Sequence, residues 1–284
     1  MAGETFTPSA AAIRLTHWLD AAEAAGLPRF PVDVKELALQ VGAQLRWPDP
    51  IFKVEAANIR NFDGGLFRVD DQGWALLYNE RVSSPGRIRF TQAHEVGHYL
   101  LHRQSQESFE CSQADMVHWG TEYKAMEAEA DSFASQLLMP IKQFRAATSG
   151  QPIDFDMLSE ASTKFGVSLT ATALRWIQST TESAVLILAR DGFMDWAVSS
   201  EKARTNGAFF RTKGRTVELP AGALAADDSQ ESCRKGERVP LQTWFPHAHA
   251  DAEARELKVL CDNHGYTLSL LHLSSGDRVW EPWA

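Results

Sequence analysis

Two histidines and a glutamate in the run His94-Glu95-Val96-Gly97-His98 have the types and spacing for metal chemistry. Residues four apart on a helix share one face, so His94 and His98 can both turn a ring nitrogen toward one ion. The glutamate between them can reach a water molecule at an open position of that ion and take its proton. This H-E-x-x-H pattern is typical of zinc hydrolases, and it predicts two metal ligands and Glu95 as general base.

The residues around the motif predict a helix over 90–102. Apolar residues recur three and four positions apart, and Pro85-Gly86 marks a turn upstream. Gly97 lowers helix propensity, which suggests that another backbone passes close to it. His102 follows His98 by four residues and is a possible further ligand. We favour a surface position near the helix end for His102, because the motif uses only two histidines.

A third protein ligand has to come from another element, because one straight helix cannot supply three ligands to a tetrahedral ion. The Ala-rich segment 123–140 predicts a single helix that stops at Pro140. Glu127 and Asp131 lie four apart on a flank of its apolar stripe. Glu127 is the predicted ligand, and Asp131 is the predicted acceptor for the spare N–H of a ligating imidazole. Glu129 is the rival ligand, and a solvated acidic face is the alternative for these acids.

A hydrolase also needs a group that stabilises the developing oxyanion. The candidates are Tyr99, His118 and Tyr123. Tyr99 is expected to point away from the metal, whereas the other two belong to the segment between the two helices. His118 is therefore the predicted second catalytic residue. A loop anchor built by His118 and Trp119 is the alternative.

The two segments together resemble the ImmA/IrrE family of metallopeptidases, which are gluzincin-like proteins of bacteria and phages. The family pattern is an RFT-x-AHE-x-GH-x-LLH helix and an E-x-EA-[ND]-x-FA-x-x-LLMP helix, and residues 89–102 and 127–140 match nearly every position. The resemblance implies Zn²⁺ bound by His94, His98 and Glu127, with Glu95 as general base. Asp131 stands where the family more often has Asn.

The resemblance implies an intracellular zinc endopeptidase that cleaves a helix-turn-helix transcriptional repressor and thereby switches on a stress or mobile-element response. The alternative is a non-proteolytic, ligand- or partner-binding regulator whose metal site is structural or vestigial. Such a regulator could belong to a toxin-antitoxin-like pair of genes. An intact Glu95 favours the peptidase, because a purely structural site needs no base beside an open position.

Composition limits the class of protein. The chain has 284 residues, 44% of them hydrophobic, which is enough for real cores. It has neither a signal-peptide pattern nor an apolar run of about 18 residues, so a cytoplasmic protein without membrane contact is expected. Its net charge of −9 argues against direct binding of nucleic acid, although a basic stretch at 202–215 contains Phe209 and Phe210. Three scattered cysteines do not suggest disulfides.

The pattern along the chain predicts an α+β protein in three parts. We expect a zincin-like peptidase domain of helices and a small twisted sheet over 1–150. A helix-turn-helix-like segment over 151–181 and a small α+β sensor or interaction domain over 182–284 follow. The middle segment has Arg175 as the single cation of its second helix, so packing or protein binding is favoured over DNA contact.

Several elements are predicted in addition to the two motif helices. In the first part, helices over 8–25 and 32–41 precede a hairpin of strands 65–69 and 74–78. Strand 74–78 is expected to be the sheet edge that holds an extended substrate. In the last part we expect a hairpin around Arg190-Asp191-Gly192, a loop over 221–235, a helix over 251–260 and a strand over 266–273.

Overall fold

The computed structural model describes residues 6–59, 62–111, 121–227, 229, 232–261 and 265–280. Contacts within the chain define two units, of which the first contains Met1–Phe144 and Ser162–Ser168. The second contains Arg145–Ala161 and Leu169–Ala284. Each unit combines helices with one sheet, so the predicted α+β class is confirmed. None of the helices in these ranges has the length and apolar character that a membrane crossing requires.

In its described residues, the first unit contains four α-helices and a four-stranded sheet. Its helices are α1 (Pro8–Ala24), α2 (Val34–Leu45), α3 (Pro85–Leu101) and α4 (Thr121–Leu138), and its strands are β1 (Ile51–Ala57), β2 (Gly64–Val69), β3 (Gly73–Asn79) and β4 (Ser108–Cys111). The side chains of Thr7, Asp33 and Ser84 accept hydrogen bonds from the first turns of α1, α2 and α3, which fixes where these helices begin.

The sheet of the first unit has the strand order β1-β3-β2-β4. Strands β2 and β3 form the predicted hairpin, with Leu66 opposite Leu76. The prediction that strand 74–78 is a sheet edge is wrong, because β1 pairs in parallel with the other side of β3. The first four residues of β3 are buried without alternation, which is typical of a central strand. The edges of this sheet in the described chain are β1 and β4.

Helices α3 and α4 pack closely at a glycine. A Cβ atom at Gly97 would lie 3.0 Å from the ring of Phe133 and 3.1 Å from the Cα of Ala130. Ala130 is in α4 and is fully buried. The absence of a side chain at Gly97 therefore lets the α4 backbone approach α3, as the sequence suggested. This close approach brings the face of α4 that carries Glu127 to the motif residues of α3.

The helix-turn-helix-like segment consists of α6 (Phe155–Phe165) and α7 (Leu169–Ser179), and α5 (Ile141–Thr148) precedes it. Its turn packs against the start of α3. The Arg89 guanidinium donates a hydrogen bond to the carbonyl of Gly166, which has a φ of 63°. A Cβ atom at Gly86 would be 3.0 Å from the backbone of Val167. The turn thus has a packing role in the first unit, which favours packing over DNA contact.

The second unit contains a six-stranded antiparallel sheet in the order β7-β6-β5-β10-β9-β8. Its strands are β5 (Ser183–Arg190), β6 (Phe193–Ser199), β7 (Val217–Glu218), β8 (Ser232–Pro240), β9 (Glu253–Cys261) and β10 (Tyr266–Leu273), and the short helix α8 (Glu201–Thr205) follows β6. The predicted hairpin β5–β6 and the predicted strand β10 are confirmed. Strand β10 pairs with both β5 and β9, so it lies in the middle of the sheet.

Two predictions for the second unit are wrong. Residues 253–261 form β9 instead of a helix, and the predicted loop over 221–235 ends where β8 begins at Ser232. Strand β9 was missed because two of its four consecutive buried positions, 256–259, carry the charged residues Glu256 and Lys258. Charges at buried positions do not fit the apolar pattern from which strands are predicted.

The buried charges of β9 have partners within the second unit. The carboxylate of Glu256 accepts hydrogen bonds from the backbone N–H of Ala225 at 2.7 Å and from Nε1 of Trp244 at 2.8 Å. The ammonium group of Lys258 donates to the carbonyl of Asp227 at 2.7 Å. These bonds compensate for the loss of hydration on burial. They also attach the segment before β8 to the sheet.

The aromatic residues of the basic stretch 202–215 are part of the packing of the second unit. The ring of Phe210 stacks on Phe245 at 5.0 Å, and the ring of Phe209 contacts Trp280 at 6.1 Å. A platform for unpaired bases needs exposed ring faces. These contacts favour the ordinary structural role of the two phenylalanines.

Candidate metal centre

Helices α3 and α4 bring His94, His98 and Glu127 together. One ligand-type atom from each of them lies within 4.8 Å of the others. The Glu127 carboxylate is 3.2 Å from Nε2 of His94 and 3.1 Å from Nε2 of His98, and the two Nε2 atoms are 2.9 Å apart. Two imidazoles and a carboxylate are the donor set of catalytic zinc sites, which leave one position open. The three residues form a group that could bind a metal ion.

A hydrogen bond at Nδ1 orients each of the two motif histidines. Nδ1 of His94 lies 2.9 Å from the Asp131 carboxylate, and Nδ1 of His98 lies 3.1 Å from Nδ1 of His102. These bonds leave Nε2 of both rings directed at Glu127. Partners of this kind hold ligating imidazoles in one tautomer and one orientation. Asp131 thus lies where the sequence analysis expects an orienting carboxylate.

The expectation of a surface position for His102 is wrong. His102 is 7% exposed, and its Nε2 lies 2.9 Å from the carboxylate of Glu129. Glu129, the rival ligand, is paired with this histidine and is not one of the three clustered residues. The side chains of His102 and Glu129 continue the hydrogen-bonded series that starts at His98.

Glu95 is fully buried, and neither of its carboxylate oxygens has a hydrogen-bond partner among the described residues. The backbone of β2 passes beside it, because a Cβ atom at Gly64 would lie 3.5 Å from Oε1 of Glu95. Burial raises the pKa of Glu95 to about 8; nearby His94 opposes the rise and Glu127 adds to it. A buried carboxylate without a protein partner and with a raised pKa is a candidate functional group.

Glu127 and His98 are in the charge states that metal binding requires. Burial alone would raise the pKa of Glu127, but its hydrogen bonds with His94 and His98 outweigh burial and hold that pKa at about 2. Burial lowers the pKa of His98 to about 4, against the raising effect of its bond with Glu127. Near neutral pH Glu127 is ionised and His98 is neutral. These are the forms that ligate a metal without first losing a proton.

The candidates for the oxyanion donor have other roles or lie outside the described residues. The Tyr99 hydroxyl donates to the carbonyl of Asp49 at 3.0 Å, so Tyr99 points away from the metal group, as expected. The Tyr123 hydroxyl donates to the carbonyl of Glu110 at 3.1 Å. His118 and Trp119 lie outside the described residues, so the oxyanion role of His118 stays a prediction.

The contact of Phe109, in the edge strand β4, with the metal group was not predicted from the sequence. Its ring is 1% exposed and stacks on the His98 ring, with centroids 4.6 Å apart and planes 17° apart. The stacked ring limits rotation of His98 and keeps water from one of its faces. A single apolar residue between Ser108 and Glu110 was the available signal, and it is too short to predict a strand.

The family model described as Peptidase_M78, the IrrE N-terminal-like domain, matches residues 50–176. The chain carries an IrrE N-terminal-like domain. The match includes both helices of the metal group and the turn that packs against α3. The ImmA/IrrE resemblance of the two motif helices is therefore confirmed. The match to this peptidase family model suggests a metallopeptidase-type function for residues 50–176.

Comparison of folds extends beyond the IrrE N-terminal-like domain. A solved structure described as a Mycobacterium tuberculosis transcriptional regulator is similar, with a TM-score of 0.58 and 16% sequence identity. The similarity covers 94% of this chain and 76% of that chain. At this identity the likeness concerns the fold alone. No curated protein matches the chain in sequence.

Proposed function

We propose that the protein is a zinc-dependent endopeptidase. The observation that carries this proposal is the convergence of His94, His98 and Glu127 within 4.8 Å, beside a buried Glu95 that lacks a protein partner. A structural zinc site needs four protein ligands and no base. A group of three ligands with an adjacent unpaired carboxylate is the arrangement of a hydrolytic site.

The roles of the residues follow from their contacts. His94 and His98 present Nε2 to the metal, since their Nδ1 atoms are engaged by Asp131 and His102. A bound zinc ion would polarise the scissile carbonyl and acidify a water molecule. Glu95 accepts a proton from the attacking water and returns it to the leaving amine.

We place an extended substrate along β4, the sheet edge whose Phe109 stacks on His98. The Arg68 N–H donates a hydrogen bond to the Glu107 carbonyl, so these two residues form a hydrogen-bonded pair of the β2–β4 ladder. Hydrogen-bonded and non-hydrogen-bonded pairs alternate along antiparallel strands. Glu110, opposite Gly65, is then in a non-hydrogen-bonded pair, so its N–H faces away from β2. Glu110→Pro should raise KM without changing zinc content. An unchanged KM would indicate that the substrate does not pair with β4 at Glu110.

The substrate we propose is a helix-turn-helix transcriptional repressor, cleaved once to release transcription. Two similarities support it: the ImmA/IrrE resemblance of the motif helices, and the fold shared with a protein described as a transcriptional regulator. Both similarities connect this architecture with control of transcription.

The test combines metal analysis with a cleavage assay. The zinc-loaded protein is incubated with the repressor encoded beside its gene, and products are identified by mass spectrometry. Wild type should cut once, and Glu95→Gln should keep one zinc and leave the repressor intact. Glu80→Gln, which alters an exposed glutamate of the same unit, is the matched control and should cut like wild type. Cleavage by Glu95→Gln at the wild-type rate would refute the role of Glu95.

A second candidate is a non-proteolytic regulator that binds a ligand or partner. The burial of the group favours it, because His94 and His98 are 1% exposed and Glu95 is not exposed at all. A peptide bond has to reach these atoms for cleavage to occur. If the zinc-loaded wild-type protein binds the repressor at micromolar concentration and leaves it intact, the protein is a non-proteolytic regulator and the peptidase proposal is wrong.

A further inference from the structure

The strongest unexplained feature near the metal group is a hydrogen-bonded pair behind His98. His102 caps the end of α3, with its backbone N–H 2.8 Å from the His98 carbonyl. Its ring bridges two side chains, with Nδ1 3.1 Å from Nδ1 of His98 and Nε2 2.9 Å from the Glu129 carboxylate. The bridge therefore connects α3 to α4 next to the metal group, on the side that Asp131 does not serve.

The chemistry of the rings allows only one arrangement of protons when His98 binds a metal through Nε2. Its Nδ1 then carries the hydrogen and donates it to Nδ1 of His102. His102 accepts at Nδ1, so its own hydrogen is on Nε2, where it donates to Glu129. Each bond has one donor and one acceptor, and the series has a fixed direction from the ligand to the carboxylate.

Packing holds this series in place. The rings of His98 and His102 have centroids 5.1 Å apart, and Phe109 lies against both, at 4.6 Å from His98 and 6.3 Å from His102. His102 is nearly buried, whereas the side chain of Glu129 is 51% exposed. The series therefore starts in the buried metal group and ends at the surface.

We propose that His102 and Glu129 are positioning residues that orient His98 for metal binding. The proposal rests on the proposed function, because it assumes that His98 ligates a metal. It assigns each motif histidine its own support on α4: Asp131 for His94, and Glu129, acting through His102, for His98. Outer partners of ligating histidines change metal affinity by about 10- to 100-fold. His102, which touches the ligand, should matter more than Glu129.

The test measures the zinc dissociation constant of the full chain by competition with a chromophoric chelator. His102→Leu removes both hydrogen bonds and should weaken zinc binding by about 10- to 100-fold. His102→Gln keeps an oxygen that accepts from His98 and an amide that donates to Glu129, so it should recover most of the affinity. Glu129→Ala should weaken binding less than His102→Leu. Lys124→Ala changes an exposed residue of α4 and should leave the affinity at the wild-type value.

The visible absorption of the Co²⁺-substituted protein is a second readout that does not depend on activity. His102→Leu should shift the ligand-field bands relative to wild type, because the His98 ring is no longer held, and His102→Gln should restore them. Equal affinities of wild type and His102→Leu would overturn the proposal. Equal losses in the Leu and Gln variants would overturn it too, because they would indicate a packing role.

The metal stoichiometry of wild type separates this inference from the proposed function. If wild type binds no zinc, the proposed function fails and the inference fails with it. If wild type binds one zinc and the His102 variants bind it equally well, only the inference fails. If His102→Leu does not fold, the zinc affinities of His102→Gln and Glu129→Ala are compared instead. The proposal requires His102→Gln to bind zinc more tightly than Glu129→Ala.

Discussion

Among the described residues, each unit contains one fully buried glutamate, and the two glutamates have opposite surroundings. Glu256 in the second unit accepts from the N–H of Ala225 and from the indole of Trp244. Glu95 in the first unit has no hydrogen-bond partner among the described residues. Burial is the first cause of a raised pKa in both. The two acids therefore differ in their hydrogen bonds and not in their exposure.

This difference distinguishes a structural acid from an acid in a reactive site. A buried carboxylate is expensive unless donors surround it, so Glu256 has a structural explanation within its own unit. Glu95 lacks such an explanation and lies beside three converging ligand-type side chains. The burial of Glu95 without protein donors is consistent with the proposed function, in which its carboxylate contacts a water molecule or substrate at the loaded metal site.

The largest expected effect is stabilisation by zinc. Ligand binding stabilises the folded state by about 4 kcal/mol when free ligand is a thousand times Kd. Thermal unfolding with and without zinc should therefore show a large upward shift for wild type. Glu127→Ala removes one of three ligands and should abolish the shift, whereas Glu256→Gln should keep it. If the zinc-induced shift also disappears in Glu256→Gln, the assignment of Glu256 as a structural acid without a role in metal binding is wrong.

The same substitution at the two buried glutamates should have different costs in metal-free protein. Glu256→Gln places an amide NH₂ against a donor, because both oxygens of Glu256 accept from N–H groups. The expected loss in the free energy of unfolding is about 2 kcal/mol. Glu95→Gln faces no donor and removes the cost of burying an acid, so it should not lower the free energy of unfolding. Urea denaturation at neutral pH measures both, and equal losses would contradict the assignment of Glu256 as structural.

The close approach of α3 and α4 can be tested at Gly97. A methyl group there would meet Phe133 and Ala130 at 3.0–3.1 Å, so Gly97→Ala should cost about 1–2 kcal/mol and shift α4 away from His94. Zinc affinity should fall together with stability, because Glu127 moves with α4. Gly276→Ala, where nothing lies within 4 Å of the added carbon, is the control. Loss of stability with unchanged affinity would separate helix packing from the metal group.

The pH dependence that Glu95 confers on metal-free protein is a further test of the difference between the two buried glutamates. Its pKa is about 8 in the folded protein and 4.5 in the unfolded chain, so the folded state retains a proton that the unfolded state loses. Stability should therefore decrease as pH rises from 4.5 to 8. Glu95→Gln lacks this loss, and its advantage over wild type should grow across that range and level off above pH 8. Parallel stability curves for the two proteins would contradict the raised pKa.

The motif helices could be predicted because their information is local. Helical spacing, a small residue at Gly97 and the positions of Glu127 and Asp131 were sufficient to predict two facing helices. The partners of His102 could not be predicted the same way, because its bond with Glu129 depends on the angle between two helices. A helical period gives the face of each helix but not the distance across a gap.

The sheets could be predicted less well, because pairing connects residues far apart in the chain. The hairpin of β2 and β3 was recognised, but the parallel partner β1 lies 22 residues before β3 in register, with Val54 opposite Leu76 and no local turn to signal it. Strand β9 was mistaken for a helix because Glu256 and Lys258 stand at buried positions. Both errors come from contacts that the local pattern does not contain.

The turn at 162–168 has a practical consequence for dissecting the protein. This segment belongs to the first unit, but the chain on both of its sides belongs to the second. No single cleavage of the backbone yields two intact units. A truncated chain that ends near residue 150 would lose the acceptor of the Arg89 hydrogen bond and uncover the start of α3. Expression of an intact first unit therefore requires the chain through residue 168 or a circular permutation that joins the two pieces.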